Sequence, residues 1–192
     1  MRDLSTLLSE AAAAHGHICP GQVLGVRMAM VGCQRLGIEE PRKTKRLLVY
    51  VEIDRCAADA IAAVTGCKLG KRTLKYVDYG KLAATFVDTL TGRAVRVAAL
   101  DAARDRAAIY APNLNGDRYA IQTAAYQVMP EHELFTVQEV RLTVPAQDMP
   151  GPPVSRVCCA RCGETINDGR EVRHDGLILC RACASGAYYV LL

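Results

Sequence analysis

Two hydrophobic rhythms divide the chain into elements. "DLSTLLSEAAAAH" (3–15) repeats its apolar residues at helical spacing behind Asp3, a residue type that caps helix starts. "PGQVLGVRMAMVGCQRLG" (20–37) is apolar on more than one face. Leu24, Met28 and Val31 share one side, and Val23, Val26, Met30 and Cys33 another. Pro20 suits the first helical position and Gly37 the end. Arg27 and Arg35 are its only charges, so this helix is predicted to be buried almost all round. "DRCAADAIAAVTG" (54–66) predicts a third helix, capped by Asp54 and closed by Gly66. Residues 101–109 and 118–129 also read as helical. "RLLVYVEI", "TLKYVDYG", "KLAATFVDTLTGRAVRVAA" and "ELFTVQEVRLTV" supply strands, with "TLTGR" as a hairpin turn. The mixture predicts an α+β fold, a helix and antiparallel-sheet core with a small C-terminal zinc finger.

The rhythm stops at "PAQDMPGPPVSR" (145–156), which holds four of the eight prolines. Such a run reads as a stiff linker. The expected organisation is therefore a core over 1–145, a Pro-rich linker over 146–157 and a Cys-rich module over 158–192. That module is too small to fold on apolar burial alone. It contains Cys159-x2-Cys162 and Cys180-x2-Cys183, seventeen residues apart. Two such turns aim four thiolates at one point and close a tetrahedral shell, the signature of structural zinc. Cys158 could compete with Cys159, but its spacing to Cys162 is less usual. "EVRHDGLIL" reads as a hairpin, with a short helix after Cys180, as in a treble clef.

Composition narrows the classes. Nine cysteines is an odd count, and clustered cysteines in a reducing compartment bind metal or do chemistry more often than they form disulfides. No apolar run approaches the roughly 20 residues of a membrane span, and "MRDLSTLLSE" does not read as a signal peptide, so a cytoplasmic protein is expected. A net charge of +4 is too mild to argue for nucleic acid. Residues 151–192 carry five Arg and four acids, a net of +1, and four thiolates with one Zn²⁺ would lower that to near −1. This argues against an autonomous DNA binder and for an interaction role. A homodimer is expected from the second helix, whose apolar sides and Gly21 and Gly25 permit close approach.

"HGHICPG" (15–21) gathers two histidines and a cysteine where that helix begins. Pro20 at the first position makes Cys19 the N-cap, and Cys56 falls in the first turn of the next helix. Helix starts favour negative charge, so both are candidate thiolates. His17, Cys19 and Cys56, with Cys67 in "TGCKLGKR", form a candidate core metal site. Lys71 stands beside it as an anion-steering or catalytic candidate, with Lys68, Arg72 and Lys81 adding charge. The plain alternative is a loop with packed thiols, and Cys33, mid-helix among apolar residues, reads as a core residue.

"HGHICPGQVLGVRMA", "EIDRCAADAIAAVTGCKLGK" and "DYGKLAATF" resemble signature blocks of the FmdE family of formylmethanofuran dehydrogenase components. The resemblance covers most of residues 15–98 closely. It implies an α+β core, a dimer and a metal-binding pocket, with a C-terminal zinc finger in some members. His17, Cys19, Cys56, Asp59, Cys67, Lys71, Asp78 and Lys81 match the motif positions. "GKRTL" departs from an expected "GKGNL", so Arg72 and Thr73 alter that loop. The parent complex reduces carbon dioxide onto methanofuran with a molybdenum or tungsten pterin and iron–sulfur clusters. This chain has no ferredoxin-type cysteine run, so it can at most be an accessory to that chemistry.

Three functions compete. The first is a metal-binding accessory of molybdenum or tungsten oxidoreductase systems in one-carbon metabolism, with a transition metal or reactive ligand in the core pocket. The second is a stand-alone metalloenzyme whose His17, Cys19 and Cys56 leave a coordination position open. The third is a zinc-finger regulator using the basic stretch "PRKTKR" (41–46). Mixed thiolate and imidazole ligands suit Zn, Fe, Ni or Cu.

Overall fold

The computed structural model describes residues 1–114 and 116–192. Its contacts divide it into two units, Met1–Thr143 and Val144–Leu192. The first contains α1 (Leu4–His15), α2 (Pro20–Arg35), β1 (Leu47–Val51), α3 (Cys56–Thr65), β2 (Leu74–Tyr76), β3 (Ala83–Asp88), β4 (Ala94–Ala99), α4 (Ala103–Tyr110), α5 (Arg118–Val128), a single-turn α6 (Glu131–Leu134) and β5 (Phe135–Val140). No helix among the described residues is long and apolar enough to cross a membrane.

The five strands lie in the order β2-β1-β3-β4-β5. Three of the four pairings are antiparallel, as expected, but β1 and β2 run parallel. A parallel pair needs a crossover, and α3 between β1 and β2 supplies it. The sheet is therefore mixed. The "TLTGR" turn joins β3 to β4: the Asp88 carboxylate accepts from the Leu90 N–H at 3.1 Å and the Thr91 hydroxyl at 2.9 Å.

Helix α2 is the spine of this unit. Val23, Val26, Met28, Ala29 and Cys33 are all fully buried. Its glycines are spent inside the chain. A Cβ on Gly25 would stand 2.5 Å from the Ala57 carbonyl oxygen of α3, and one on Gly32 would stand 2.2 Å from the Phe86 ring of β3. The apolar faces expected to meet a second copy are thus covered by α3 and the sheet of the same protomer. Arg27, half-way along, donates to the Tyr126 and Met129 carbonyls at 2.7 and 2.6 Å, which satisfies orphan carbonyls at the end of α5 and holds it against α2.

Helix ends follow the sequence closely, with one exception. Asp3 caps α1, accepting from the Thr6 N–H at 2.9 Å. Asp54 does not cap α3. Arg55 occupies the extended cap position without a side-chain bond, because the helix begins one residue later, at Cys56. In the loop that departs from the family pattern, Arg72 has φ of 60°. That is left-handed backbone, where a glycine costs least and another residue about 1–2 kcal/mol.

The second unit contains a 3-10 turn (Ala146–Asp148), β6 (Arg156–Cys158), β7 (Thr165–Asn167), β8 (Val172–His174), β9 (Leu177–Leu179) and α7 (Arg181–Ser185). β6 pairs with β7 and β8 with β9, both antiparallel, so the "EVRHDGLIL" hairpin and the short helix after Cys180 form where expected. Residues earlier than 158 join this unit: Arg170 donates to Asp148 at 2.9 Å, and β6 starts at Arg156. Its buried cluster is only Cys159, Ile166 and Leu179. Three such side chains contribute on the order of a few kcal/mol, far below the cost of ordering the segment.

Candidate metal centres

In the second unit, one ligand atom from each of Cys159, Cys162, Cys180 and Cys183 lies within 4.8 Å of the others. Four thiolates around one zinc at about 2.3 Å need separations of this order, so the donor set fits the ion. The two CxxC turns also aim backbone N–H groups at the sulfurs. Cys180 N–H reaches Cys159 Sγ at 3.3 Å, and Cys183 N–H reaches Cys180 Sγ at 3.3 Å. N–H donation from Cys162 and then Cys180 pulls the Cys159 thiol down to about 6, toward the thiolate a metal needs. Cys158 is exposed on β6, paired in the ladder with Thr165, and is not one of the four.

In the first unit, ligand atoms of His15, His17 and Cys19 also lie within 4.8 Å of one another. The chain makes this possible by reversing sharply. α1 ends at His15, Gly16 takes φ of 98°, and Cys19 is already the N-cap of α2. The two imidazole rings sit 4.8 Å apart, centre to centre. His15 Nδ1 lies 2.9 Å from Asp59 Oδ2 on α3. A carboxylate at one ring nitrogen fixes the imidazole and leaves the other nitrogen as donor.

Cys56 approaches from α3. Gly21 separates it from Cys19: a Cβ there would stand 3.2 Å from Cys56 Cβ and 3.8 Å from Cys19 Sγ. Its backbone is held from below, the fully buried Gln22 donating to the Cys56 carbonyl at 2.6 Å. Burial and the neighbouring Cys19 sulfur push the Cys56 thiol up, against the expectation that its helix start alone makes it a thiolate. Cys19 and Cys56 both line a cleft of about 470 Å³ that also reaches α4 and α5.

The other expected members stand elsewhere. Cys67 is 3 % exposed, and its Sγ is directed at the Leu47 carbonyl oxygen, 3.7 Å away. It belongs to no group of metal donors among the described residues. Helix α3 explains the separation. Cys56 starts it and Cys67 follows it, and ten helical residues span about 15 Å. Lys71 shares that far end, exposed in a turn closed by its own N–H to the Lys68 carbonyl at 3.2 Å, and does not line the cleft. Asp78 and Lys81 are exposed in the loop between β2 and β3, with Lys81 Nζ 5.8 Å from the Tyr79 ring. Cys33 is a buried core thiol, pushed up to about 12 by burial, as read from its apolar surroundings.

Sequence reasoning left His15 out of the ligand set. Its signal was available: a histidine two residues before His17, separated from it by a glycine. It also overlooked the cations that do line the cleft, Arg55, Arg104 and Arg118, since two of them come from helices far along the chain.

Comparisons with known proteins agree with this division. Residues 153–189 match the prokaryotic dksA/traR C4-type zinc finger. An Archaeoglobus fulgidus protein named "Probable S-adenosyl-L-methionine-binding protein" is 41 % identical over 97 residues, 49 % of this chain and 26 % of that protein. The chain thus matches only about a quarter of that relative's length. The crystal structure of an FmdE-like protein of tungsten formylmethanofuran dehydrogenase, from Syntrophus aciditrophicus, has the same fold, with a TM-score of 0.62 at 21 % identity over 98 % of this chain and 96 % of that one. Residues 14–137, which hold His15, His17, Cys19 and Cys56, match the model of FmdE, molybdenum formylmethanofuran dehydrogenase operon, and the chain belongs to that family.

Proposed function

We propose that this protein is a metal-binding accessory of a molybdenum or tungsten oxidoreductase system of the formylmethanofuran dehydrogenase type. The observation that carries the reading is the convergence of His15, His17 and Cys19 within 4.8 Å, with Cys56 facing Cys19 across Gly21. Two imidazoles and one or two thiolates suit a divalent transition metal, zinc above all. The donors are half-exposed or exposed beside a cleft, unlike the tail, where four cysteines complete a shell by themselves. A metal held there supplies Lewis acidity at whatever position the protein leaves open. In this reading His15 is oriented by Asp59, Cys19 and Cys56 set the charge of the site, and the C4 finger is structural and serves a partner. Self-association belongs to the same reading but needs a surface other than α2.

Absorption spectroscopy at the metal edge tests it. The full chain with Cys159, Cys162, Cys180 and Cys183 all changed to Ser is loaded with one equivalent of Zn²⁺. The expected shell mixes nitrogen at about 2.0–2.1 Å with one or two sulfurs at about 2.3 Å. A shell of oxygen alone, or no tight binding, rejects the core site.

A second reading, a small stand-alone metalloenzyme, draws support from the cleft, because accessory binding alone requires no cleft beside the metal.

A further inference from the structure

The cleft that Cys19 and Cys56 line is basic where it meets α4 and α5. Arg55 precedes Cys56, Arg104 comes from α4, and Arg118 opens α5. Arg104 has an exposed ion-pair partner, Asp101, at 3.3 Å. Among the described residues neither Arg55 nor Arg118 is paired with an acid, and no acid lines the cleft.

The cleft also holds an unused donor. Gln122 is 9 % exposed and lines the cavity, yet its Nε2 is buried with no hydrogen-bond partner among the described residues. Leaving a buried amide unpaired costs about 1–3 kcal/mol, so such a group points to something that arrives. Tyr126, 2 % exposed, lines the same cavity one helical turn on. The Arg104 and Arg118 charges both act on its phenol, which places those guanidinium groups around it. Opposite this polar side the wall is aliphatic, from Leu24, Ile53 and Leu82. About 470 Å³ is the size of a pocket for a small organic molecule.

We propose that this cleft binds a small organic anion, its carboxylate or phosphate group held by Arg118 and Gln122 and its apolar body laid on Leu24, Ile53 and Leu82. Arg forms paired hydrogen bonds with such oxygens, and the Gln122 amide adds one donor. The proposal deepens the metal reading, because it names what enters beside the Cys19 and Cys56 sulfurs.

Titration calorimetry on the full, zinc-loaded chain tests it with three probes: hexanoate, hexyl phosphate and inorganic phosphate. Core metal is counted in the same samples. Hexanoate or hexyl phosphate binds saturably and at least tenfold tighter than inorganic phosphate, and whichever of the two is tighter identifies the head group. Arg118→Gln and Gln122→Leu each weaken that binding at least tenfold while metal content stays at the wild-type value. Arg118 is exposed and Gln122→Leu removes only an unpaired amide, so neither change threatens the fold. The proposal is overturned if no organic probe saturates, if inorganic phosphate binds as tightly, or if either variant binds like wild type. Saturable binding to a chain lacking core metal leaves the anion site standing and removes the metal reading. Core metal without binding of either organic probe does the reverse.

Discussion

His15 Nδ1 stands 2.9 Å from Asp59 Oδ2, which ties the last residue of α1 to the first turn of α3. The Asp59 side chain is 67 % exposed, so the pair contributes little to stability. Its effect is on orientation: the imidazole is held with one nitrogen toward the carboxylate and the other available to a metal. Asp59→Asn should weaken the core metal site about 10–100-fold and leave the melting temperature unchanged. Competition with a chromophoric chelator measures it, with the tail zinc as internal reference. Unchanged core affinity would mean Asp59 plays no part in the site.

Gly25 is the closest approach of α2 to α3. Gly25→Ala puts a methyl 2.5 Å from the Ala57 carbonyl and 2.7 Å from Ala60 Cβ, where only backbone could yield. The expected cost is about 1–3 kcal/mol. Gly70→Ala, with nothing within 4 Å, should change stability by less than about 0.5 kcal/mol. Urea unfolding followed through exchange of the β3 amides compares the two, and equal stabilities would refute the packing.

Cys67 is a packed thiol, and alkylation can show it. Burial raises both Cys33 and Cys67, Cys33 to about 12. The thiolate is the reactive form. At pH 8 a group near 12 is thiolate in about one molecule in ten thousand. Iodoacetamide should spare both residues in the folded chain, with or without chelator, while exposed Cys158 reacts. Labelling of Cys67 that appears only when metal is stripped would restore it to the site.

The tail should lose its structure when its metal is removed. Its buried cluster of three side chains cannot order it. A strong chelator should abolish amide protection in β6–β9 while β1, β3 and β4 stay protected. Persistent protection of β8 and β9 without metal would show that the finger folds unaided.

The sequence discloses most of the fold because its local signals agree. Pro20 and Gly37 bound α2, Asp3 caps α1, and the paired CxxC turns stand in plain view. The candidate site was only half legible. Cys19 and Cys56 both begin helices, and α2 and α3 pack closely enough at Gly21 and Gly25 to bring those starts together. Grouping Cys67 and Lys71 with them overlooked the length of α3, which carries both to its far end. Arg104, Arg118 and Gln122 were not legible as site residues. They reach the cleft through the packing of α4 and α5, and Arg27 binds α5 to α2 across 99 residues of sequence. No local pattern encodes that distance.

Elemental analysis of the purified full chain tests the central claim most directly, since that claim is two metal centres in one protein. Wild type should carry two equivalents of metal. The chain with all four tail cysteines changed to Ser should carry one, and the chain with His17→Ala and Cys19→Ser should also carry one, held by the tail. One equivalent in wild type, with none left in the tail variant, would contradict the account and reduce the His15, His17 and Cys19 cluster to a polar turn.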